Sequence, residues 1–168
     1  MNLEKEIDRL YGLPVEEFTA ARNDLAKRLR ADGERAAPAR VKELRKPTAG
    51  AGVVNRLVRS ERMNMRALLT AGERLRTAQG KLLSGGKPDA VHKAAEDERK
   101  ALTALLAAAK RDGANEPVLR KVEQTLRAAA IDEDARELIK KGRLTEDLQP
   151  VGFGFSPEQL RGPKRSSR

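Results

Sequence analysis

Apolar residues recur at helical spacing along most of the chain, and glycine and proline cut that pattern into pieces. "LEKEIDRLYG" reads as a short first helix stopped by Gly12 and Pro14. A second helix opens at Pro14, with Glu16 and Glu17 in its first turn and basic residues before Gly33, as the helix dipole favours. Phe18, Ala21, Leu25 and Leu29 give it one apolar face. A third helix, about Arg35 to Arg45, ends before Pro47 and offers Val41 and Leu44.

The longest predicted helix runs from about Ala51 to Leu83. Val54, Leu57, Val58, Met65, Leu68, Leu69, Gly72, Leu75, Leu82 and Leu83 fall on one broad side at about 100° per residue. "SGGKPD" is a turn, and a helix from Asp89 to Arg111 follows, with Val91, Ala95, Leu102, Leu105 and Ala109 aligned. Together these two predict an antiparallel helical hairpin. Pro117 starts another helix, whose Val118, Val122, Leu126 and Ala129 face inward, and Asp132 caps a last one stopped by Gly142. "RLTEDLQPVGFGF" reads as extended, packed by its leucines and phenylalanines.

No strand pattern and no fixed-period repeat emerges, so the predicted class is all-α: a helical bundle built on a long antiparallel hairpin. Residues 1–149 read as one helical domain, with flanking helices in 2–45, the hairpin in 51–111 and C-terminal helices in 117–141. Residues 150–168 read as an extended or flexible basic tail.

Composition narrows the chemistry. The chain has 168 residues, 39% hydrophobic but only 2% aromatic, and much of its apolar content is alanine, which favours helices in close contact over a bulky core. Without cysteine it can build no disulfide, thiolate metal site or cysteine nucleophile. No run approaches the length of a membrane span, and "MNLEKEIDRL" alternates charges where a signal peptide needs an apolar centre. A cytoplasmic location is the expectation. The net charge of +10 makes anionic partners such as nucleic acid or ribosome plausible.

That charge is unevenly placed. Residues 50–86 hold seven basic and two acidic residues, whereas 116–149 hold seven basic and eight acidic. On a wheel, Arg56, Arg59, Arg62, Arg66, Arg74 and Lys81 lie within roughly a third of the circumference, opposite the apolar side. Arg45 and Lys46 stand just upstream. Arginine suits bidentate phosphate contact, so these eight residues are the candidate nucleic-acid-binding set, for DNA or RNA. The competing reading is a solvated face, with long arginines covering helix flanks and pairing with neighbouring acids. Because Tyr11, Phe18, Phe153 and Phe155 lie outside the basic helix, binding would rest on backbone contacts without strong sequence preference.

The alternative function is a scaffold or adaptor that binds a protein partner or itself, for which Phe153 and Phe155 are candidate partner-binding residues. Catalysis is not expected, and neither is a cofactor or metal. His92 is the only histidine, and with Glu96 it supplies just two ligands. "GKLLSGGKP" misses the phosphate-loop pattern, since Lys87 is followed by Pro88 and no strand precedes it. "DED" at Asp132 to Asp134 sits at a helix start. Asn55, Glu61 and Asn64 are polar residues within the long helix, each a candidate buried hydrogen-bonding group.

The segments "LYGLPVEEFTAARNDLAKRLR", "VKELRKPTAGAGVVNRLVR" and "GRLTEDLQPVGFGF" resemble a family of alanine- and arginine-rich helical proteins from actinobacteria and other high-GC bacteria. The resemblance implies no activity. It also marks a departure, because such relatives often carry an aromatic residue shortly before the "VN" pair where this chain has Gly52.

Overall fold

A computed structural model describes residues 2–150, and Met1 and 151–168 lie outside the described residues. Among the described residues eight helices succeed one another: α1 (Leu3–Tyr11), α2 (Val15–Ala31), α3 (Ala37–Lys42), α4 (Ala49–Ser60), α5 (Arg62–Leu83), α6 (Asp89–Arg111), α7 (Glu116–Ile131) and α8 (Glu133–Lys141). The described chain contains no strand. Local chemistry sets the boundaries. The Asn2, Thr48 and Asn115 side chains accept from the backbone N–H groups of Lys5, Ala51 and Val118, which opens α1, α4 and α7. Asp132 Oδ1 accepts from Asp134 N at 2.8 Å, as the sequence predicts, and Gly142 ends α8 in the left-handed region at φ 63°.

The predicted long helix is two helices. Glu61, at φ −112° and ψ 46°, closes α4 and opens α5. The apolar stripe resumes in register after it, with Met65, Leu68 and Leu69 buried, so helical periodicity could not reveal the interruption. The break separates two tasks. α5 pairs with α6 in the expected antiparallel hairpin, whereas α4 packs mainly on α7. Near its turn the hairpin outruns the rest of the bundle: every residue from Gln79 to Ala90 is exposed. Leu82 and Leu83, predicted inward, are therefore 39% and 91% exposed, because no third helix reaches them.

Buried apolar side chains form two clusters. Ile7, Leu10, Tyr11, Phe18, Leu25, Leu29 and Val41 fill the space among α1, α2 and α3, with the Tyr11 and Phe18 rings 5.1 Å apart. The larger cluster joins α4 to α8 through Val54, Leu57, Leu68, Leu105, Val122, Leu126 and Ile139, all nearly inaccessible. Each such side chain contributes about 1.5–3 kcal/mol by leaving water.

Small residues set how closely the helices approach. A methyl group on Gly72 would lie 2.6 Å from the Ala130 carbonyl oxygen and 2.8 Å from its Cα, so α5 and α7 cross almost backbone to backbone. At Gly52, the position marked by the resemblance, a methyl group would overlap Val15 Cγ2. The start of α2 occupies the room that a larger residue would need.

After Gly142 the chain crosses the larger cluster as a non-helical strap, residues 142–150. Leu144 and Leu148 are buried, as the sequence predicts. Asn55 Nδ2 donates to the Leu144 carbonyl at 2.9 Å and Asn55 Oδ1 accepts from Leu144 N at 2.8 Å. Thr125 Oγ1 treats Leu148 alike, accepting from its N–H at 3.0 Å and donating to its carbonyl at 3.4 Å. Thr48 N donates to the Thr145 carbonyl, and Lys121 pairs with Asp147. Two buried polar side chains thus stand in for the strand neighbours that the strap lacks.

Candidate nucleic-acid interface

The eight basic residues that the sequence groups together divide into four settings. Arg62, Arg66, Arg74 and Lys81 share α5, are exposed, and span about 120° of its outer arc. None lies within ion-pairing distance of a described carboxylate. The lone acid of α5, Glu73, falls inside the same arc, and its carboxylate lies 3.7 Å from the buried guanidinium of Arg136. The facing helix behaves differently. On α6, Lys93 pairs with Asp97 at 2.9 Å and Lys100 with Glu96 at 3.1 Å, so its charges cancel locally. The Asp97 hydrogen bond raises the Lys93 pKa, while the positive charge of Arg74 opposes that rise across the hairpin. One helix of the hairpin is neutralised and the other is left cationic.

Arg45 and Lys46 precede α4 and are both exposed, but Arg45 already pairs with Glu146 of the strap at 3.1 Å. Arg56 is half-buried beside Pro14, Val15 and Asp112 in a separate cleft of about 450 Å³.

Arg59 departs most from the expected stripe. Its Nη1 donates to the carbonyls of Asn55 and Gly142, both at 2.8 Å, and its Nη2 donates to the Asp8 carbonyl at 2.8 Å. Burial lowers its pKa, with the charge of Asp8 at 3.8 Å opposing that effect. Arg59 is turned inward as a clamp joining α1, α4 and the end of α8. The wheel placed it correctly away from the larger cluster but could not register that α1 lies on that side.

Of the polar residues in the predicted long helix, Asn55 is buried as described, whereas Asn64 is half-buried and donates to Glu61 Oε2 at 3.0 Å. Glu61 also lies 4.0 Å from Arg111, which ties the helix break to the end of α6. His92 is exposed, and Glu96 pairs with Lys100 at 3.1 Å. No group of three or more metal-ligating side chains occurs among the described residues. Phe153 and Phe155 lie outside the described residues.

Sequence reasoning missed Arg9 and Lys141, which face Arg59 and Arg62 across a cleft between α1, α4 and α8. They stand far apart in the chain, and only the docking of α1 against α4 brings them together. No described helix is long and apolar enough to cross a membrane. No family model, curated protein or solved structure matches the chain.

Proposed function

We propose that this chain is a non-catalytic protein that binds the sugar–phosphate backbone of DNA or RNA through the outer face of α5, without strong sequence preference. One observation carries the reading: Arg62, Arg66, Arg74 and Lys81 are exposed on one arc, and the single acid among them leans toward a buried arginine. Counterions condensed on the polymer would be released as these cations take their place, so affinity falls steeply with salt. With no aromatic residue on α5, base stacking contributes nothing along that face. The reading places the protein in the cytoplasm, at the nucleoid or ribosome.

The test is a fluorescence-anisotropy titration with duplex DNA, single-stranded DNA and RNA, at low and at physiological salt. Salt-dependent binding that weakens when the four α5 cations become glutamine supports the reading. Unchanged affinity in that folded variant sinks it.

A scaffold or adaptor role is the second reading, favoured by Leu83 standing 91% exposed at the hairpin turn and Ile131 56% exposed at the end of α7. A nuclease-resistant oligomer in solution would favour this reading over the first.

A further inference from the structure

We propose that the cleft between α1, α4 and α8 is a binding site for a phosphate-class oxyanion. It is a shallow, open cleft of about 690 Å³ and presents four cations, Arg9, Arg59, Arg62 and Lys141, against one carboxylate, Asp8. That carboxylate is already engaged, since Asp8 Oδ1 accepts from Arg143 Nε at 2.8 Å.

The floor of the cleft is Arg59. Its hydrogen bonds go to carbonyl oxygens, the Asp8 carboxylate it shares with Arg143 stands 3.8 Å from Nη2, and Nε–H donates to no described acceptor. Gly12 explains how that edge stays open. Its φ of −88° is one that any residue adopts, so the backbone there does not require glycine. A methyl group at Gly12 would, however, sit 3.0 Å from Arg59 Cδ and 3.1 Å from Nε. The missing side chain leaves the guanidinium edge uncovered.

Around this floor stand movable cations. Arg62 is held over Arg59 by its Nε–H donating to the Arg59 carbonyl at 3.3 Å. Lys141 reaches in from α8 and has no described acid within ion-pairing distance. Arg9 stands on α1, paired at its far side with Glu6 at 2.9 Å. A fixed guanidinium below and three exposed cations at the rim suit a compact anion that accepts hydrogen bonds from several directions.

This site goes beyond the α5 reading, with which it shares only Arg62. The full-length protein is titrated with inorganic phosphate at low ionic strength, against chloride of equal ionic strength, following the Arg59 Nε–Hε resonance and the melting temperature. A saturable response to phosphate and not to chloride is expected, weakened about tenfold or more in the Arg62→Gln/Lys141→Gln variant, where two charge-assisted contacts are lost. Gly12→Ala, which removes no charge but covers Nε, is also expected to weaken it. A phosphate response no larger than that of chloride, or one undiminished in the double variant, overturns the proposal.

Arg66→Gln/Arg74→Gln/Lys81→Gln separates the two readings, because it should leave the phosphate response intact while weakening polynucleotide binding. Nucleic-acid binding without a phosphate response removes the cleft and spares α5, and the reverse removes α5. With the site established, competition between phosphate and a short duplex assigns the anion to a polymer backbone, and lack of competition assigns it to free phosphate.

Discussion

Asn55 and Leu144 satisfy each other in both directions, the side-chain amide donating to the carbonyl at 2.9 Å and accepting from the N–H at 2.8 Å in a fully buried setting. Eighty-nine residues separate them, so this contact closes the chain on itself. Replacing Asn55 by Leu keeps the size but leaves both Leu144 groups unpaired. A loss of roughly 2–5 kcal/mol is expected, read as a lower urea midpoint at unchanged slope.

Thr125→Val should act in the same way on Leu148, with a loss of about 1–3 kcal/mol. The two substitutions act on one strap, so their effects should fall short of additivity. A double-mutant cycle measures the coupling, and strict additivity would show that the two brackets hold independent elements.

Two glycines of α5 should respond oppositely to alanine. At Gly72 the methyl group meets the Ala130 backbone, which cannot yield without moving α7, and about 1–3 kcal/mol of stability should be lost. At Gly80 nothing lies within 4 Å, and the same change should stabilise by about 0.5–1 kcal/mol through helix propensity. Thermal melts of the two variants check the pair.

Acid should weaken the seam between α1 and the rest of the molecule. Hydrogen bonds from Arg143 at 2.8 Å and Arg40 at 2.6 Å hold the Glu4 carboxyl below its ordinary value of 4.5. A depressed folded pKa gives a contribution that is complete above that ordinary value and is lost as pH falls through the lower one. The melting temperature of the wild type should therefore drop more steeply below pH 4.5 than that of Glu4→Gln. Parallel acid limbs would contradict this role.

Salt offers a separate check on α5. If Arg66, Arg74 and Lys81 each neutralise a duplex phosphate, each glutamine substitution should flatten the slope of log affinity against log salt by about 0.9. A vertical shift at constant slope would mean that these side chains act otherwise than as phosphate contacts.

The residues show where sequence reading reached and where it stopped. Asp132, Pro117 and Gly142 act within a turn of their own positions, and the boundaries they mark appear as predicted. Glu61 did not reveal itself, because one residue at ψ 46° interrupts a helix without shifting the apolar stripe on either side. Arg59 and Leu83 were misplaced for a shared reason. Periodicity tells which side of a helix is polar but not whether another helix covers that side, so neither the half-buried clamp nor the exposed leucine is legible from the wheel alone. Asn55 was legible as a polar group in an apolar helix, whereas its partner Leu144 required the fold.

The two apolar clusters meet through a seam in which Arg59 and Arg143 bridge to Asp8, Glu4 and the Gly142 carbonyl, and Tyr11 donates its hydroxyl hydrogen to the Arg45 carbonyl. Greasy contacts respond weakly to ionic conditions, whereas guanidinium contacts at a half-exposed seam respond to protons, salt and competing anions. The three N-terminal helices are therefore attached in large part through charged groups, so their hold on the rest of the molecule should vary with the surrounding electrolyte more than the packing inside either cluster does.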